Sequence, residues 1–194
     1  MPTERTLLSV LVVSANDKIY DSVTELLSKN EFSPIFRAGS SGEARRMLVS
    51  NLPDIMIINT PLPDDFGVEL ALEFADTNTG ILLLAKNEHY EQVCYRVEKS
   101  GVMTLGKPTS RQGVYSAVRL LSAMHHKLAK LEKRNRTLQE KMADIRTVNR
   151  AKWLLIENMN MHEKDAHYYI EKQAMDTRLS RREIAENIIR TYDK

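Results

Sequence analysis

The run Pro53-Asp54-Ile55-Met56-Ile57-Ile58-Asn59-Thr60-Pro61-Leu62-Pro63-Asp64-Asp65-Phe66-Gly67 decides how the rest of the chain is read. Its first part is uniformly apolar and of strand length. With no polar alternation, a strand over Asp54–Ile58 is expected to be covered on both faces. Its second part is dense in Pro, Asp and Gly and reads as loop. Working outward, the same grammar repeats. Apolar runs at Leu7–Val13, Pro34–Phe36, Ile81–Leu84 and Val102–Leu105 predict four more strands. Between them, Asp17–Ser28, Ser41–Val49, Val68–Phe74 and Tyr90–Val97 carry apolar residues at helical spacing. Buried-type strands alternating with helices predict an α/β domain with a parallel five-stranded sheet. Ligands of such sheets sit at the carboxyl ends of the strands. The residues placed there are Ser14 and Ala15, Asn59, Ala85 and Lys107.

The chain has 194 residues, room for one to two domains. The net charge of +2 hides a split: residues 1–120 hold 12 Lys+Arg and 15 Asp+Glu, whereas residues 121–194 hold 16 and 11. An acidic front and a basic back predict two different jobs. No apolar run reaches the ~18–20 residues of a membrane span, and Met1-Pro2-Thr3-Glu4-Arg5 leads into the first strand without a cleavage-type site. No membrane association, no secretion signal and a cytoplasmic location are therefore expected. The lone Cys94 excludes a disulfide framework and a Cys-rich metal site.

Beyond the fifth strand, Leu121, Met124, Leu128, Leu131, Asn135, Leu138, Met142, Ile145 and Asn149 recur at alternating steps of three and four. That is an a/d heptad seam, and it predicts a parallel coiled-coil homodimer. A helix packed on its own chain is the alternative. Between Pro108 and the C-terminus only Gly113 interrupts, so one helix is expected from about Ser110 to about Asn158. Asn135 at an a position trades stability for register. At the flanks, Lys127 to Glu132 is attractive across the seam and Lys141 to Arg146 repulsive. The tail then predicts helices over Ala151–Met159 and Glu163–Asp176, and a third opened by a capping box at Ser180 and Glu183.

The front domain resembles a response-regulator receiver with a flavodoxin-like (βα)5 fold, carried by Pro53-Asp54…Asn59…Leu62-Pro63-Asp64…Gly67 and Gly106-Lys107-Pro108. The resemblance implies an Asp phosphoacceptor where Asn59 stands, an acidic Mg²⁺-holding pair where Ser14-Ala15 stands, Thr or Ser where Ala85 stands, and an aromatic residue matched by Thr104. Only Lys107 is kept. An amide is not the carboxylate nucleophile an aspartyl phosphate requires, and Ser14 with Ala15 offers Mg²⁺ no carboxylate oxygen. A pseudo-receiver not phosphorylated at Asn59, with no enzymatic activity and no cofactor, is expected. A register error that gives the role to Asp17, Asp54, Asp64 or Asp65 is the alternative.

The tail resembles the ANTAR antiterminator module through Arg150-Ala151-Lys152, Asp165-Ala166-His167, Gln173-Ala174-Met175 and Glu183-Ile184-Ala185-Glu186-Asn187-Ile188-Ile189. Trp153 and His162 depart from the family, which has Gly and Ser there. The organisation expected is a pseudo-receiver over 1–120, a coiled-coil dimerisation helix over 121–149 and a small three-helix ANTAR module over 150–194. The resemblance implies a dimer that binds paired stem-loops in nascent mRNA leaders and so prevents terminator formation. Hairpin loops call for cations and amides or stackers, and the residues chosen are Arg150, Lys152, Gln173, Arg178, Arg181 and Arg182. Tyr168 is a stacker or core, Trp153 core or a dimer contact, and Lys172 an RNA contact or a partner of Asp176. Other functions stay open at this point: a helix-turn-helix DNA-binding regulator, and a dimeric protein–protein adaptor. The input signal points to a regulatory protein at the receiver or a small ligand by Asn59 and Lys107.

Overall fold

The computed structural model describes residues 7–193; the opening Met1–Arg5, read above for a leader, lies outside them. Five strands, β1 (Leu8–Val13), β2 (Phe32–Ala38), β3 (Ile55–Asn59), β4 (Gly80–Lys86) and β5 (Met103–Lys107), form one sheet in the order β2-β1-β3-β4-β5. Every pairing is parallel. Helices α1 (Asp17–Leu26), α2 (Ser41–Ser50), α3 (Val68–Glu73) and α4 (Asn87–Val97) connect them.

The apolar strands are continuous because each face has its own cover. Leu11, Val13, Met56, Ile58 and Leu83 pack with Ala44, Leu48, Val68, Leu70 and Val93 from α2, α3 and α4. Val10, Val12, Ile57, Leu82 and Leu84 pack with Val23 of α1 and with Val114, Ala117, Val118 and Leu121. The last four belong to α5, a single helix over Arg111–Met159.

The chain divides into two compact units, one ending at Ala129 and the other beginning at Lys130. In the second, the end of α5 packs with α6 (Glu163–Thr177) and α7 (Arg181–Tyr192) around Ala151, Leu155, Ala166, Ile170, Ile184, Ala185 and Ile188. With no Gly or Pro to stop them, two helices end next to residues of positive φ: Asn160 (φ 50°) follows α5 and Arg178 (φ 58°) caps α6. The capping box at the start of α7 forms as read, with Ser180 and Glu183 bonded in both directions.

Candidate functional site

At the carboxyl end of the sheet, β3 delivers Asn59 and β5 delivers Lys107. The Lys107 ammonium donates to Asn59 Oδ1 at 2.7 Å and to the Thr60 carbonyl, and the Asn59 amide donates to Ser14 Oγ at 3.1 Å. Ser14 Oγ also accepts the Asn16 backbone N–H at 3.1 Å. Ala85 is fully buried and adds only a methyl group. Among the described residues no carboxylate pairs with Lys107. Burial, and after it repulsion from Lys86, lowers the Lys107 pKa below the ordinary lysine value. The donors gathered here are a hydroxyl, an amide and an ammonium, a set that does not fit a divalent hard cation.

The acids weighed as replacements are engaged elsewhere. Asp64 accepts the Ser41 and Gly42 N–H groups at 2.9 and 2.8 Å at the start of α2, and its pKa is lowered by the Gly42 bond first and the Ser41 bond second. Asp65 accepts the Ser41 hydroxyl at 2.6 Å. Asp17 pairs with Arg37. Asp54 lies at the opposite end of β3, where Ser9 donates N–H and O–H at 2.7 and 2.9 Å and His125 Nε2 sits 3.3 Å away.

In the second unit most of the chosen cations have carboxylate partners that sequence reading missed. Arg182 bonds Asp144 at 2.9 Å and Glu186 at 2.8 Å, contacts that raise its pKa, Glu186 foremost. Arg181 pairs with Glu171 at 2.9 Å, Lys152 with Glu163 at 3.2 Å, and Arg150 with Asp193. Glu186 four residues after Arg182 was a readable helix signal. Asp144 and Glu171 come from other helices and left none. Arg178 forms no ion pair among the described residues and holds the left-handed cap of α6; the Gln173 carbonyl accepts the Thr177 hydroxyl at 2.6 Å. A cavity of about 690 Å³ brings Lys152, His167, Arg181 and Arg182 together with Glu140, Asp144 and Asn149.

The heptad residues Met124, Leu128, Leu131, Leu138, Met142 and Ile145 are all exposed, from 50% to 59%. Asn135 is exposed with them. Leu121 is a correction. Counted as the first seam residue, it is 4% exposed and buried in the sheet core of its own domain. The physical reason is its place on α5: it continues the face of Val114, Ala117 and Val118 at helical spacing, and that face covers the sheet. Trp153 is 64% and Tyr168 63% exposed, so neither is core. The Lys172–Asp176 pair weighed as the alternative to an RNA contact is not formed among the described residues, and His167 pairs with Glu171 at 3.4 Å.

The ANTAR domain family matches residues 136–189. The transcriptional regulatory protein PdtaR of Mycobacterium tuberculosis, in strains CDC 1551 / Oshkosh and H37Rv, is 27% identical over 183 residues, 94% of this chain and 89% of that protein. Among solved structures, the signal receiver domain of an HD domain-containing protein from Pseudomonas fluorescens Pf-5 superposes with a TM-score of 0.58 at 21% identity, over 67% of this chain and 96% of that one. A response regulator receiver domain protein from Clostridium thermocellum gives 0.56 at 19% identity, over 63% and 99%. At those identities the likeness is one of fold.

Proposed function

We propose that this chain, which joins a receiver fold to a C-terminal ANTAR domain, is a transcription antitermination regulator. As a dimer it holds paired stem-loops in a nascent mRNA leader, so that the terminator hairpin does not form. The observation that carries the reading is the ANTAR match over 136–189, on a unit whose cations Lys152, Arg181 and Arg182 gather at one cavity. The protein works without an enzymatic step or cofactor, in the cytoplasm. Among the described residues no helix is long and apolar enough to cross a membrane. Dimerisation runs through the exposed heptad stripe from Met124 to Ile145.

The receiver is not a phosphate switch at Asn59. The Asn59 amide accepts from Lys107 and donates to Ser14, so neutral groups stand where that chemistry needs carboxylates. Its input is a regulatory protein bound at the receiver. Incubation with acetyl phosphate and Mg²⁺ should leave the intact mass unchanged. A phosphoryl adduct lost on mutation of a carboxylate overturns this point.

The helix-turn-helix alternative is served less well. The would-be recognition helix α7 presents Glu183 and Glu186, and its first arginines are held by acids. A gel shift with a two-hairpin leader RNA against duplex DNA of equal length decides. RNA alone is expected to shift, and preference for the duplex would sink the proposal.

A further inference from the structure

Four cations of the second unit, Arg150, Lys152, Arg181 and Arg182, each hold a carboxylate of their own chain. Earlier along α5, by contrast, Lys130, Arg134 and Lys141 are exposed and form no ion pair among the described residues. Their spacing of four and seven residues puts them on one face of the helix, about 6 and 10 Å apart along its axis. Glu132 and Glu140 lie roughly 100° or more around the helix from that face. Within four residues, the acid nearest the face is Asp144, and it is bonded to Arg182 at 2.9 Å. The stripe thus ends beside the arginines at the cavity.

A second copy of the chain leaves the stripe just as bare. In a parallel seam, Arg134 faces the partner's Gln139 and Lys141 faces the partner's Arg146, so no carboxylate arrives at either. Uncompensated cations at regular spacing, ending beside a cavity where further Lys and Arg side chains meet, call for a polyanion.

The geometry points to a phosphate track: Lys130, Arg134 and Lys141 receive the backbone of the RNA strand that leads to the hairpin held by the ANTAR unit. This rests on the RNA-binding reading above and extends it, since Lys130 and Arg134 precede the residues that match the ANTAR family. The track reads no bases. It adds affinity and fixes the direction in which the strand leaves the module.

The test uses the full-length protein, a fluorescently labelled two-hairpin leader RNA, and the variant K130Q/R134Q/K141Q. Titrations across a salt series give the slope of log K against log salt. The triple variant is expected to lower its magnitude by about 2 per protomer, with at least tenfold weaker binding at low salt. Sedimentation should show an unchanged oligomeric state. The charge-conserving K130R/R134K/K141R variant should keep the wild-type slope. An unchanged slope in K130Q/R134Q/K141Q overturns the track while leaving RNA binding intact. A loss of affinity that follows a loss of dimer also overturns it, assigning the residues to the seam. Failure of the wild type to bind the hairpins overturns both the track and the reading beneath it.

Discussion

Lys107 carries its charge into a shell of neutral oxygens. The acceptors are the Asn59 amide oxygen at 2.7 Å and the Thr60 carbonyl, and burial plus the Lys86 charge hold its pKa below 10.5. A lysine with a folded-state pKa below its unfolded value opposes folding while it is protonated. That opposition fades as pH rises from the folded pKa towards 10.5. Lys107→Met removes the titration. The urea midpoint of the wild type should therefore gain on that of the variant between neutral pH and 10.5; parallel profiles would count against the account. The identity of these residues was readable from position alone, because strand ends follow apolar runs. Their bonding was not, since Ser14, Asn59 and Lys107 meet only when three strands align. Arg178 shows the same limit. Sequence offered it as an RNA contact, and nothing local disclosed that it stands at φ 58°. A side chain in that region costs about 1–2 kcal/mol relative to Gly. Arg178→Gly should raise the thermal midpoint by an amount equivalent to about 1 kcal/mol while weakening hairpin binding. Lower stability would show that the arginine makes a contact worth more than the strain.

At the scale of elements, helices were legible by their caps and strands by their apolar runs, and the misses have physical causes. Strand β2 reads as Pro34–Phe36 but spans Phe32–Ala38, because it is an edge strand, where a missing N–H is tolerated. Helix α1 stops at Leu26 rather than Ser28, its C-cap Leu27 turning extended to bury its side chain. The capping box of α7 was fully legible, since both partners lie within four residues. Ser180→Ala should cost about 1 kcal/mol. The Glu183 pKa is held down foremost by the Ser180 N–H, a bond this variant keeps, and then by the Ser180 hydroxyl, whose bond it loses. That contribution is present above the ordinary carboxylate range and disappears as pH falls through the lowered value. The wild-type advantage over Ser180→Ala should accordingly shrink in acid, and an advantage independent of pH would separate the cap from the carboxylate. Along α5, heptad timing gave the stripe, and Asn135 sits in its middle, exposed on the single chain. If the chain dimerises through this stripe as proposed, Asn135→Ile should raise its thermal midpoint and admit higher oligomers by sedimentation. A variant that stays strictly dimeric at an unchanged midpoint would mean that Asn135 does not face its counterpart.

At the scale of the molecule, one helix serves two cores, and periodicity alone does not say where the first ends. The heptad count runs without a break from Leu121 to Asn149, yet Leu121 is spent on the sheet of the receiver fold. The residues after it continue that attachment. Ser122 is buried, and His125 comes within 3.3 Å of Asp54 at the start of β3. The charge split at residue 120 marks where Lys and Arg become denser, not where the packing ends, because a core is closed by contacts distant in sequence. The consequence can be measured on two fragments. Removing a buried leucine costs about 2–5 kcal/mol, a large share of the ~5–15 kcal/mol that holds a domain. A fragment of residues 1–129 should unfold in urea as one cooperative transition. A fragment of residues 1–120 loses Leu121, Ser122 and the His125–Asp54 contact together, so its midpoint should fall well below that of 1–129, or the fragment should not fold at all. Equal midpoints would return Leu121 to the seam and place the end of the receiver at residue 120.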